Sequence, residues 1–360
     1  MSRNCSISYT PMPCWTSNDI TRHEILRLLA YRREDFNCSV LPYAYEGNPT
    51  GVRRIMDLSG HYWRHSALGD LQALPVEILN ATLHFSDLRT FSKLCQVNRQ
   101  ARILVEAFFP YKVILTHAPH VIDIFIQTGA ASHFTAARVF DVMCSSSCAI
   151  CGRFGGFLWI PDCIRCCMPC LRKAPELLLM TVQDAMASFG LSREIITNIP
   201  TVDTLPGRYN HLPYKEKRRL LSEARARQAA VMEYGGEEEL VACIKTSQWK
   251  AAYHKCVASL RGTFHNKTRL NSYSRRFQVT TCLPYFDLAS HTTHNGISCK
   301  GCQDAADLKN HLKWTESFSV LRDRREQTFT EDMFLEHFKN CTNAQRMWAE
   351  HQRPYRTGLC

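Results

Sequence analysis

The sequence predicts a mainly α protein, with a short helical hairpin followed by small α+β modules that cysteine and histidine side chains close. Three observations carry this expectation. Apolar residues recur at helical spacing through 74–143 and again after 176. The eighteen cysteines are clustered, with seven of them between Cys144 and Cys170. The strand-like stretches, within FGGFLWIP and at Arg276–Cys282, are short and lie beside cysteines.

At the start of the chain, residues 1–66 form an irregular, partly helical segment: Asn18 can cap a helix over Asp19–Tyr31, and LPYAYEGNPTG after it is rich in turn residues. In 68–112, Leu74-Pro75 opens a helix with proline in the first helical position, and Glu77 in its first turn suits the helix dipole. Ile78, Leu79 and Leu83 share one face; Ser86 or Asp87 caps the next helix, whose stripe is Leu88, Phe91 and Leu94. After Val97-Asn98 the stripe continues through Ala101, Leu104, Val105 and Phe108. Residues 113–210 read as helix with Val121, Ile124 and Phe125 inward and Gly129 as a stop, interrupted by a cysteine segment at 144–173. Residues 211–270 read as basic and helical, with KEKRR at the start of a helix over Lys215–Met232 and Gly235-Gly236 at its end; 237–262 continues as helix. Residues 275–350 form the last module, ending in a strong helix.

Composition narrows the class. With 45% hydrophobic and 21% charged residues, the chain has the balance of a folded soluble protein. No apolar run reaches the ~20 residues of a membrane span, and the first thirty residues lack the apolar centre of a secretory signal. The expected location is intracellular, in cytoplasm or nucleus, with no membrane partner. In that reduced setting, paired cysteines point to metal rather than disulfides. The net charge of +11 favours a nucleic-acid or acidic-protein partner.

Two constellations have metal-ligand spacing. Cys148-Ala-Ile-Cys151-Gly is answered by Cys167-Met-Pro-Cys170, and two CxxC turns supply the four thiolates of a tetrahedral zinc site. Cys163 and Cys166 form a competing CxxC pair. The second constellation is Cys299-Lys-Gly-Cys302 with His337 and Cys341, which stand four apart on a helix that Thr330 can cap. His291, His294 and Cys282 lie near enough in sequence to compete. Both sets describe closed, structural zinc sites, with no open position for catalysis, so two Zn²⁺ are expected. The sequence has no P-loop, GxGxxG, GxSxG or HExxH motif, and no catalytic residue is assigned.

The stretch from Leu74 to Phe108 resembles an F-box in its Leu-Pro-x-Glu-Ile opening, its Asp87-Leu88 helix start and its Val97-Asn98-Arg99 turn. The chain beyond Phe108 resembles F-box proteins of filamentous fungi, which share a "CxxCG-FGGF…RxCxxCL" segment. That resemblance places Arg165, Cys167 and Cys170 on the RxCxxC and so favours Cys167 and Cys170 over the competing pair. It extends through FGLSREIITNIPTVDTLPGRY, GISCKGCQ and FLEHFKNC, over most of 68–350. It implies a face that binds a Skp-type adaptor, made of Leu74, Pro75, Ile78, Leu79, Leu83, Leu88 and Leu94, and through that adaptor a cullin. The implied role is a non-catalytic substrate receptor of a ubiquitin ligase, with an unidentified protein substrate. The alternative is a zinc-containing nucleic-acid-binding regulator, suggested by KEKRR and by the Arg261–Arg276 run with Phe264 and Tyr273 interleaved.

Overall fold

The computed structural model describes residues 19–41, 67–210, 212–246, 275–309 and 316–352. Asn18, the turn-rich stretch after Leu41, the 247–262 part of the helix expected over 237–262 and most of the Arg261–Arg276 run lie outside them. The described residues are mainly helical with small sheets.

Helix α1 (Asp19–Leu29) passes directly into strand β1 (Ala30–Tyr31). In the hairpin region, helix α2 (Val76–Phe85) starts one residue later than expected: Pro75 stands in the capping place, and its carbonyl accepts from the N–H groups of Ile78 and Leu79, each at 3.1 Å. Asp87 opens α3 (Leu88–Val97) by accepting from the Thr90 N–H at 2.6 Å. Asn98 does the same for α4 (Arg99–Ala107), accepting from Ala101 at 2.8 Å. These side chains satisfy N–H groups that the first helical turn leaves without partners. Helices α5 (Phe109–His117) and α6 (Pro119–Gln127) come next, and Gly129, at φ 73°, turns the chain before α7 (Ala136–Cys144).

Strand β2 (Phe157–Trp159) pairs antiparallel with β3 (Ile164–Cys166) and, on its other edge, with Thr280–Cys282 from far downstream. Helix α8 (Met168–Lys173) leaves this ribbon. Strand β4 (Leu179–Thr181) leads into α9 (Val182–Phe189) and α10 (Arg193–Thr197); β5 (Thr201–Asp203) and the hairpin β6 (Gly207–Tyr209)–β7 (Leu212–Tyr214) continue the chain.

The basic helix expected over Lys215–Met232 does not form over that range. KEKRR runs instead into strand β8 (Arg219–Ser222), the centre of an antiparallel β4–β8–β5 sheet, and helix α11 covers only Glu223–Tyr234. The sheet wins because adjacent Leu220 and Leu221 both need burial, and a strand sends them to opposite faces. Leu220 packs with Leu179 and Val202 in the main core, while Leu221 packs with Met180 in a second core completed by Phe189, Ile196 and α12 (Glu237–Thr246). Gly235 ends α11 as expected, in a left-handed conformation.

The last portion contains β9 (Thr280–Cys282), the hairpin β10 (Tyr285–Asp287)–β11 (Thr292–His294), β12 (Ser298–Cys299) and helices α13 (Lys300–Leu308), α14 (Glu316–Arg325), α15 (Glu331–Asn340) and α16 (Thr342–His351). Strand β12 pairs with β1, and α1 sends Ile25 and Leu29 into a third core with Phe334, Phe338 and Trp348. The main core crosses the boundaries expected at 112, 210 and 275: it joins Leu88 and Phe91 of the hairpin region to Phe125, Phe157, Trp159, Leu220, Phe277 and Phe286. Just after α14, Glu326 is 1% exposed and ion-paired with Arg172, with Arg322 at 3.4 Å and Arg325 at 3.5 Å, which ties the first ribbon to the last module. Burial raises its carboxyl group despite those arginines. No helix among the described residues is long and apolar enough to cross a membrane.

Candidate metal centres and an exposed apolar face

The first centre is assembled by one turn and one helix start. Cys148 donates its N–H to Arg153 O at 2.6 Å and accepts at its carbonyl from Gly152 N–H at 2.9 Å, which folds Cys148–Cys151 into a knuckle. Gly152 completes that knuckle at φ 72°, a conformation open to glycine at little cost. Across the ribbon, Cys167 is the N-cap of α8 and Cys170 lies in its first turn. The ligand atoms of Cys148, Cys151, Cys167 and Cys170 all lie within 4.8 Å of one another, with Cys151 and Cys167 Sγ at 3.6 Å.

The second centre repeats the helix-start device. Cys299 caps α13 and Cys302 lies in its first turn, while His337 comes from α15 and Cys341 from the junction of α15 and α16. Their ligand atoms also lie within 4.8 Å of one another: Cys299–Cys341 is 3.9 Å, Cys302–Cys341 3.7 Å and Cys302 Sγ–His337 Nε2 3.4 Å. Thr330 accepts from Met333 N–H at 3.3 Å to open α15, and Phe329 stacks on the His337 ring at 4.5 Å. Gly301 allows the close approach of α16, because a Cβ there would stand 2.4 Å from the Ala344 nitrogen.

Both groups can hold a metal ion. Around one tetrahedral ion, with metal–sulfur bonds of ~2.3 Å, sulfurs stand about 3.8 Å apart. The observed 3.6–3.9 Å separations match that spacing and are far from the ~2.0 Å of a disulfide. The electrostatics point the same way, since packed thiols cannot all ionise without a cation. Cys148 is pushed down to about 4, first by the Cys167 thiol and then by the backbone N–H groups of Cys151 and Ile150, while Cys167 itself is raised. Cys341 is lowered by the sulfurs of Cys299 and Cys302, and Cys302 is raised. Burial opposes a charge on His337, but Cys299 and Cys341 outweigh it and lift the ring to about 9.

No protein-family model, curated protein or solved structure matches this chain.

The competing residues are elsewhere. Cys163 and Cys166 are both fully buried in the main core, Cys166 within β3, and burial pushes Cys163 up to about 12. Cys166 and Cys167 are neighbours at the end of a strand, so one faces the core and the other the metal group. Cys282 donates its thiol to Asn37 Oδ1 at 3.0 Å, His294 stacks on Tyr285, and His291 sits near Phe286; none belongs to either group.

Arg165 is a residue whose part the sequence did not disclose. It is 2% exposed, and its guanidinium donates to five backbone carbonyls: Val142, Met143, Gly155, Leu283 and Pro284, at 2.6–3.2 Å. Burial lowers it to about 10, which leaves it charged at neutral pH. A single arginine inside an otherwise apolar, cysteine-rich strand was the available signal.

The seven residues expected to face an adaptor divide. Leu74, Pro75 and Ile78 are exposed, and Leu94 is half-buried. Leu79, Leu83 and Leu88 are buried in the chain itself, so they build the scaffold and are not available as a contact surface. Leu71, Val76, Phe85 and Val97 in the same region are 43%, 57%, 81% and 62% exposed.

Proposed function

We propose that this chain is a non-catalytic, intracellular substrate receptor of a Skp–cullin–F-box ubiquitin ligase, with two structural Zn²⁺ ions. The observation that carries the reading is that Leu71, Leu74, Val76, Ile78 and Phe85, in and just before α2, are exposed in the segment whose sequence resembles an F-box. Large apolar side chains left in water within one short segment favour a protein contact. Four thiolates, and three thiolates with one imidazole, are donor sets that suit zinc, and each group already has four protein ligands. Closed sites of this kind stabilise a fold and leave no position for substrate.

Nucleic-acid binding has less in its support. Of the KEKRR run, Arg218 is paired with Glu216 and Arg219 with Asp203, and the segment is not the basic helix that a groove contact would use.

The test is co-purification of the full chain with a Skp-type adaptor, native against Leu74→Ala/Pro75→Ala/Ile78→Asp. Binding that the variant loses, at unchanged zinc content, is the expected result. A folded, zinc-loaded native chain that fails to bind would sink the reading.

A further inference from the structure

A cleft of about 280 Å³ opens where three distant parts of the chain meet. One wall is the segment Arg32–Asn37 after β1, the floor comes from Gly156 and Phe157 with Cys282 and Leu283 in the first sheet, and the far side is Asn295, Gly296 and Thr328. An antiparallel bridge between Ile297 and Phe329 holds that far side together. The cleft therefore depends on both metal-held modules, and it shares no residue with the α2 face.

Its chemistry is that of a site with open polar valences. Thr328 lines the cleft, and its hydroxyl has no hydrogen-bond partner among the described residues. A hydroxyl open to solvent can donate to or accept from a ligand. Asn37 spends its Oδ1 on the Cys282 thiol, which leaves its amide N–H groups for the cleft, and Asn295 stands opposite. Phe157 and Leu283 supply apolar surface. A peptide offers one donor and one acceptor per residue plus side chains for the apolar wall, which matches this lining.

Charge selects among peptides. Arg33 is bound to Asp35 at 2.7 and 2.5 Å and lies 4.3 Å from the Phe36 ring centre, so its charge is spent. Arg32 is exposed on the rim and has no carboxylate partner among the described residues. The net charge of +11 draws acidic partners toward it. Glu34 on the same rim limits the acceptance of a second acid nearby.

We propose that this cleft recognises an extended peptide segment bearing one anionic side chain, which meets Arg32 while the backbone bonds Asn37, Asn295 and Thr328. As a statement about ubiquitin-ligase substrates it rests on the receptor reading above; as a binding site it does not.

The test uses the full, zinc-loaded chain without any adaptor and synthetic peptide pools with a fixed central Asp, Glu, phosphoserine, Lys or Ala. Acidic pools are expected to bind about tenfold more tightly than Lys or Ala pools. The comparison of phosphoserine with Asp and Glu distinguishes phosphate from carboxylate as the natural anion. Arg32→Ala removes the preference and Glu34→Gln strengthens it. Gly156→Ala weakens every pool without strain, because the nearest atom to its new methyl group is Thr328 Oγ1 at 4.0 Å. Ile78→Asp leaves peptide binding intact, and a native chain that binds acidic peptides but no Skp-type adaptor would count against the F-box and not against the cleft. A native chain with no acidic preference overturns the proposal. So does an acidic preference that survives Arg32→Ala, or an affinity that Gly156→Ala leaves unchanged.

Discussion

At the scale of single residues, the buried polar groups carry more than their number suggests. If the guanidinium were removed, the Val142 carbonyl would keep the Ser145 N–H at 3.3 Å, but the carbonyls of Met143, Gly155, Leu283 and Pro284 would lose their arginine donor, and a buried unsatisfied group costs about 1–3 kcal/mol. Because neighbouring groups relax, Arg165→Met is expected to destabilise the chain by about 3–5 kcal/mol in urea unfolding, in line with broken buried charge networks. Arg165→Lys recovers only part of this, since an ammonium has three donors. His120 is buried and shares a hydrogen bond of 2.9 Å with the Cys282 carbonyl, and burial pushes its ring from 6.5 down to about 4. The folded state therefore favours the neutral ring. Its contribution is complete above the unfolded value of 6.5 and is lost as pH falls through about 4. Between neutral pH and about pH 4 the native chain should lose about 3 kcal/mol more stability than His120→Gln, with metal content followed in parallel.

Among elements, the two centres share a way of presenting thiolates. In each, a CxxC pair begins a helix, α8 from Cys167 and α13 from Cys299, so that free N–H groups and the positive helix end face the sulfurs. Cys167→Ser and Cys302→Ser should each remove one equivalent of bound metal, measured by emission spectroscopy after gel filtration. Cys163→Ala and Cys166→Ala should keep both equivalents, because those thiols fill the core. The strand β8 belongs to the same scale: charges at its entrance read as a helix, but Leu220 and Leu221 serve two different cores.

For the whole molecule, the decisive contacts are between parts remote in sequence. Helix α1 packs on α15 and α16, and β1 pairs with β12 beside Cys299, so the early segment is part of the second metal module. Leu29 is 2% exposed there, and Leu29→Ala is expected to cost about 3 kcal/mol. Under a chelator challenge this variant should release metal from the second centre sooner and leave the first centre unchanged, as followed by a chromophoric chelator.

Short-range chemistry is what the residue order alone makes legible. The caps at Asp87, Asn98 and Thr330, the stops at Gly129 and Gly235, and the Cys148/Cys151, Cys299/Cys302 and His337/Cys341 pairs can all be read from spacing and residue type, because a turn or a helix fixes them within a few positions. The register between Cys163/Cys166 and Cys167/Cys170 was open to spacing alone; strand alternation in β3 closes it. Folding in three dimensions settled whatever depends on contacts across long stretches of chain. The pairing of Thr280–Cys282 with β2, the two-faced burial of β8, the five carbonyls at Arg165, the burial of Leu79, Leu83 and Leu88, and the place of α1 all belong here. None of these has a local signal, because an apolar or polar group records only that it needs a partner, and the packed chain supplies which one.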